Sequence, residues 1–279
     1  MKKSLYILLA SITILIGACD LEKEVDLNLP EFEPKLVVEC YLEPGKPYRV
    51  ILSESVGYFG TLDLDLPVVN NATVMITHNG IKDTLINSVF VEPSPGGNPL
   101  LAKVFNYGSS TLVPEDYNSD FHLEIVDSAG RTITATTQLL PVVPLDSVQY
   151  LYLQDSSASL LTIHTDNPNE TNWYYRTQHK TVVTLDSLKG GFVLDDELIT
   201  GSNNSMAVGG PPVYDAGDTA IVTLYHITES YAEFLETTAA AQQNNGNPFA
   251  TPSSIKSNIV GGLGIFTGLT YFRETYYLD

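Results

Sequence analysis

From Leu36 the chain alternates between apolar and polar positions, with Leu36, Val38, Cys40 and Leu42 on one face and Glu39, Tyr41 and Glu43 on the other. A period of two is the spacing of a half-buried strand. Pro44-Gly45-Lys46-Pro47 turns the chain into a second extended run at 48–56, and further strands are predicted at 72–78, 84–92, 101–107, 121–127 and 132–139. Asp127-Ser128-Ala129-Gly130 makes the last two a hairpin, because Gly130 can take the positive φ such a loop needs. Short strands at this spacing, without helical periodicity, predict an antiparallel sandwich over residues 34–140, immunoglobulin- or transthyretin-like.

Pro141-Val142-Val143-Pro144 interrupts the pattern, since proline lacks an amide donor and restricts the residue before it. A domain junction is expected there, with a second β-domain over 145–279. Its strands are predicted at 146–153, 160–166, 173–183, 191–199, 220–227 and 269–278. One helix is inserted at about 230–244. Ser230-x-x-Glu233 has the form of a capping box, Tyr231, Phe234, Leu235 and Thr238 follow at helical spacing, and Asn244-Asn245-Gly246 offers a C-terminal cap. The expected fold is mostly β, two antiparallel β-sandwich-like domains, the second carrying the helix.

The N-terminal region follows a different pattern. Lys2 and Lys3 precede an apolar run at 5–16, too short for a stable bilayer-spanning helix but suited to a signal peptide over residues 1–18. The run ends in Ile16-Gly17-Ala18-Cys19, which resembles a bacterial lipobox, so Cys19 is the expected lipidation site. Triacylation there would hold the chain to a membrane more firmly than one acyl chain does. Asp20, Glu22, Glu24, Asp26, Glu31 and Glu33 surround a single Lys23, and residues 19–33 therefore form an acidic, self-repelling tether. Asp20, Glu22 and Glu24 beside the anchor resemble the signal that exports Bacteroidota lipoproteins to the outer face of the outer membrane. In enterobacteria, Asp at this position resembles an inner-membrane retention signal.

With 14 Lys+Arg against 33 Asp+Glu, the net charge of −19 argues against a partner recognised through phosphates, and no nucleic acid is expected. Charged residues make up only 17% of the chain while 16 Tyr and 10 Phe supply strand formers, so a folded protein is expected rather than a disordered one.

Candidate chemistry is sparse. Cys40 falls on the apolar face of the first strand and is expected to be an inert core residue. His78, His122, His164, His179 and His226 lie singly on separate strands, without the spacing of a zinc motif. Asp195-Asp196-Glu197 and Asp63-x-Asp65 do not continue into a calcium-loop pattern, and no nucleophile elbow is present. Gly262-x-Gly264 with Gly268 misses the dinucleotide spacing by one residue and lacks a following helix, so the glycines are read as bulges or close backbone approaches in an extended segment. No metal, cofactor or catalytic residue is expected.

The most distinctive stretch is Asn247-Pro248-Phe249, Pro252, Ile255, Ser257-Asn258-Ile259 and Gly261-Gly262-Leu263-Gly264-Ile265-Phe266. It resembles the C-terminal signature of a Bacteroidota lipoprotein family classed as a domain of unknown function. Leu36-Val37-Val38, Asn71-Ala72-Thr73-Val74, and Asp166-x-Pro168 before Trp173-Tyr174-Tyr175 extend the likeness over the mature chain. Members are typically encoded beside TonB-dependent outer-membrane receptors. The resemblance therefore implies a surface lipoprotein that assists nutrient capture or import, with a TonB-dependent receptor as partner and an unidentified small ligand. It carries no catalytic residues. Asn247, Pro248, Phe249, Pro252, Asn258, Gly261, Gly262, Gly264 and Phe266 are expected to form either a core strand or a receptor-facing surface. Five Asp-Ser/Thr-apolar triplets, such as Asp83-Thr84-Leu85, resemble O-glycosylation acceptors. The function expected is that of a non-enzymatic binding module, with aromatic strands such as Trp173 to Tyr175 among its contacts. A hydrolase or metalloprotein assembled from dispersed residues and a structural or adhesion role are the alternatives.

Overall fold

The computed structural model describes residues 32–57, 67–93, 102–153, 157–167, 169–180, 191–195, 205–244 and 254–278. Cys19, Asp20, Glu22, Glu24, Asn247, Pro248, Phe249 and Pro252 lie outside them, as do Asp63-x-Asp65, Asp196, Glu197 and the predicted helix stop at Gly246.

Seven strands of the first half follow the alternation of the sequence: β1 (Leu36–Leu42), β2 (Pro47–Glu54), β3 (Ala72–His78), β4 (Ile81–Glu92), β5 (Lys103–Leu112), β6 (Asp120–Asp127) and β7 (Thr132–Gln138). Leu36, Val38, Cys40 and Leu42 are all buried, as their spacing requires. Asn79 and Gly80, both at positive φ, form the tight turn between β3 and β4. In the second half lie β8 (Ser147–Tyr152), β9 (Ala158–Thr165), β10 (Trp173–His179), β11 (Phe192–Asp195), β12 (Ser205–Val208), β13 (Thr219–Ile227), the helix α1 (Glu229–Asn244), β14 (Leu263–Gly268) and β15 (Thr270–Tyr277). α1 begins one residue before Ser230, and the amides of Tyr231 and Ala232 donate to the Thr228 carbonyl, so Thr228 rather than Ser230 flanks its first turn.

The strands make three sheets. An eight-stranded sheet runs β14-β1-β2-β5-β4-β3-β6-β7, a four-stranded one β11-β10-β13-β15, and a three-stranded one β12-β9-β8. Pro141 to Pro144 lies in no strand, but the expected division there does not separate the sheets cleanly. β14 comes from beyond it and pairs in parallel with β1, Val37 opposite Leu263 and Leu42 opposite Gly268. The first sheet is therefore neither built from residues 34–140 alone nor wholly antiparallel. Pro34–Asp279 forms one compact unit.

The eight-stranded sheet almost closes on itself. Val260, just before β14, exchanges both backbone hydrogen bonds with Thr134 of β7, at 3.1 and 2.8 Å. Inside, Val38, Cys40, Val50, Leu52, Ile76, Phe121, Leu123, Ile125 and Phe266 form one core. Burying a large apolar side chain of this kind contributes roughly 1.5–3 kcal/mol, and Phe266 shows that β14 is part of that core. Cys40 is fully enclosed, and burial pushes its thiol pKa far up, which makes it inert.

The outer face of β1 and β14 carries Tyr41 and Ile265, which pack with Leu269, Tyr231 and Ala232 of α1, and Tyr175 and Tyr225 of the four-stranded sheet. The opposite face of that sheet packs on the three-stranded one through Tyr174, Leu224, Val222 and Ala220 against Leu160, Ala158 and Met206.

Candidate ligand cleft

The end of β9, the loop residues Asp166, Asn167, Glu170 and Asn172, β10 and β13 meet beside the proline-bounded segment 141–144. Between them lies an open cleft of about 550 Å³, lined by Pro141 to Pro144, Asp166, Asn167, Glu170, Asn172, Tyr174 and His226 among others. Proline spacing explains its roof: Pro141 and Pro144 keep the chain extended without the paired amides a sheet strand would need.

The floor is a buried polar network. Tyr174 of β10 stands directly opposite His226 of β13, and their rings stack at 5.1 Å. The Tyr174 hydroxyl donates to Asp166 Oδ1 at 2.6 Å, and Asn172 Nδ2 donates to the same oxygen at 3.0 Å. Asn172 Oδ1 faces His226 Nε2 at 3.1 Å, while His226 Nδ1 faces the Pro141 carbonyl at 2.8 Å. This wiring asks for a proton on both nitrogens of His226, whereas burial holds its pKa below the ordinary value against the opposing pull of the Pro141 carbonyl. Turning the Asn172 amide over would satisfy a neutral ring, but would set the amide oxygen against Asp166.

Two buried side chains here, one lining the cleft and one behind it, have polar atoms without hydrogen-bond partners. Asp166 is 3% exposed and its Oδ2 accepts no hydrogen bond. His164, two residues earlier and 1% exposed, sits edge-on to Tyr174 at 4.6 Å with neither ring nitrogen bonded. Burial drives its pKa down to about 4, so it is a neutral imidazole. Buried polar atoms are ordinarily satisfied, so these are exceptions within the core. Among the described residues, the cleft is lined by the acids Asp166 and Glu170, by His226 and Tyr174, and by no lysine or arginine. The described residues contain no group of three or more His, Cys, Asp or Glu that could hold a metal ion.

The five histidines thus part company. His164 and His226 meet around Tyr174, while His78 bonds Asp116 and the Asp120 carbonyl and stacks on Phe121 at 3.8 Å. His122 bonds Thr136 at 3.0 Å, and the Nε2 of His179 is buried without a partner. Tyr174 and Tyr175 are 1% and 5% exposed, so their rings are core, and of the two Tyr174 lines the cleft. Asn172, central to the network, was not singled out in the sequence: an asparagine in a polar loop carries no periodic signal.

The signature residues that are described build structure. Asn258 Nδ2 donates to the Phe266 carbonyl at 2.7 Å and Asn258 Oδ1 accepts from the Phe266 amide at 3.0 Å. Gly261, at φ +83°, lies against the Thr132 carbonyl, and Gly262 against the Leu36 carbonyl and Ile133. Gly264 faces the main chain of Val38.

The family model described as "Domain of unknown function (DUF4249)" matches residues 22–275. No curated protein matches the chain. Among solved structures, "Cytokine receptor complex - Crystal form 1A" is 10% identical, covering 86% of this chain and 95% of that one, at a TM-score of 0.26. "Crystal structure of chicken CNTN1 FN1-FN3 domains" is 11% identical, covering 69% of this chain and 60% of that one, at a TM-score of 0.27. At such scores neither likeness carries an argument.

Proposed function

The chain belongs to the DUF4249 family, and we propose that it is a non-enzymatic ligand-binding lipoprotein, anchored through Cys19 on the outer face of an outer membrane and serving a TonB-dependent receptor. One observation carries the binding role: a cleft of about 550 Å³ on which the side chains of Asp166, Glu170, Asn172 and His226 converge. A cleft of this size suits a small molecule, and a few convergent polar groups set its orientation. The described part of the cleft couples its histidine to a backbone carbonyl and an amide rather than to a nucleophile. That favours binding over acyl-transfer chemistry. The lipobox and the acidic tether support the location, and the family resemblance supports the receptor. We read the sheets on either side of Pro141–Pro144 as two β-sandwich-like halves, tied together by β14.

Thermal-shift and calorimetric screening of the intact mature chain against peptides, oligosaccharides and metal chelates tests the role. A ligand whose binding is lost in Asp166→Asn and Glu170→Gln, with folding retained, is the expected result. Undiminished binding by both variants would place the ligand elsewhere and remove the cleft from the reading. Palmitate labelling lost in Cys19→Ala, and proteinase K cleavage on intact cells, are expected for the anchor and its location. Equal labelling of both chains, or cleavage only after lysis, would overturn these.

A second reading, as a metalloprotein or hydrolase, draws on His164 beside Asp166, both buried with unbonded atoms. Zinc or manganese binding abolished by His164→Phe would favour it.

A further inference from the structure

Every sheet edge among the described residues has some protection except one. The ends of the eight-stranded sheet are bonded to each other through Thr134 and Val260. β11 and β12 are four residues each, and β15 carries Arg273 and Glu274. β8, the outer strand of the three-stranded sheet, is six residues long, pairs with β9 without a register shift, and contains no charge and no proline. It is also apolar on both faces: Tyr150 is 37% exposed, Leu151 44%, Tyr152 72%, and Leu153 just beyond it 45%. Unpaired amides and carbonyls beside exposed apolar side chains form a template for another strand, which proteins otherwise blunt with charge, proline or bulges.

Beside this edge the sandwich is open, and a slot of about 110 Å³ lies between β8 and the end of β15. Tyr150, Tyr152, Tyr214 and Tyr277 line it, and among the described lining residues Asp215 is the charged one. Lys180, 5.5 Å from the ring of Tyr214, is already paired to Asp218 at 2.8 Å. Aromatic rings with one carboxylate suit a basic side chain, which gains both a cation–π contact and a charge-assisted bond.

We propose that β8 accepts an extended segment of another protein by strand addition, with a lysine or arginine of that segment entering the tyrosine slot toward Asp215. Main-chain hydrogen bonds would supply affinity and the slot would supply specificity. A chain carrying a net charge of −19 repels a second copy of itself, which favours an uncharged to basic partner over self-pairing.

The test uses the mature chain and two fluorescent, end-blocked nonapeptides of alternating valine and threonine, one with a central arginine and one with a central glutamate. The arginine peptide is expected to bind at least about tenfold tighter, with added hydrogen-exchange protection centred on β8. Leu151→Lys and Tyr152→Ser, both at exposed positions and checked for unchanged melting, are each expected to weaken it by about tenfold. Asp215→Asn is expected to remove the preference for arginine while leaving some binding. No binding, protection away from β8, or a preference that survives Asp215→Asn would overturn the proposal. Self-association of the chain in sedimentation that Leu151→Lys abolishes would do so too, by making a second copy the occupant.

Discussion

Gly264 lies so close to Val38 that a Cβ on it would overlap the Val38 carbonyl oxygen, and its φ of +113° is one that side-chain-bearing residues rarely adopt. The two residues stand opposite each other in the parallel pair of β14 and β1. Closure of the eight-stranded sheet thus depends on a missing side chain. Gly264→Ala should lower stability by about 2–5 kcal/mol, from overlap together with backbone strain. Urea unfolding of the purified chain measures it, and a loss below 1 kcal/mol would mean that β14 can shift without cost.

Asn258 satisfies both main-chain groups of Phe266, whose ring fills the core of the same sheet. Asn258→Ala leaves a buried amide and carbonyl unpaired, and should cost about 1–3 kcal/mol for each group that water cannot reach. Asn258→Asp can accept from the amide but cannot donate to the carbonyl, and should fall between wild type and alanine. The order of the three midpoints in denaturant checks this. If aspartate equals wild type, the bond to the carbonyl contributes nothing.

The folded chain should weaken in mild acid. His164 has a folded pKa of about 4 against an ordinary value of 6.5, so below about pH 6.5 the unfolded chain binds a proton that the folded chain refuses. Stability is intact above that pH and declines toward pH 4, by about 3 kcal/mol from this group. His226 and His179, also lowered by burial, act in the same direction. His164→Phe keeps an aromatic ring against Tyr174 and should flatten the unfolding free energy between pH 6.5 and 4. An unchanged slope would show that His164 does not titrate on unfolding.

Arg176 is 1% exposed and meets no carboxylate among the described residues: Nη1 and Nη2 donate to the carbonyls of Val208 and Gly209 at 3.2 Å and Nε has no partner. Burial lowers its pKa to about 10. A guanidinium held this way contributes little net stability, because desolvation offsets its bonds. The Val208 carbonyl would keep the Thr162 hydroxyl if Arg176 were replaced. Arg176→Met should therefore melt at or above the wild-type temperature. A fall of more than about 5 °C would show that the cation contributes stability.

Much of the fold was legible in the chain because strand patterning is local. Alternation placed Leu36, Val38, Cys40 and Leu42 in the core, and Ser230 to Asn244 closely matched the helix. The short strand at Ser205–Val208 was not anticipated, since four residues hold too little alternation to stand out. The glycines of 261–264 were legible as a place of close backbone approach, but not the backbone they approach. That partner, β1, lies more than two hundred residues earlier, and parallel pairing across such a separation leaves no periodic trace. The cleft shows the same limit. Asp166, Asn172, Tyr174 and His226 occupy two strands and a loop, and each alone looks like an ordinary core or loop residue. The sequence by itself determined which residues could be buried, through hydrophobic spacing. Only the tertiary structure decided which buried polar atoms found partners and which did not, because hydrogen bonding is settled by proximity in space, and burial makes each unmet bond costly.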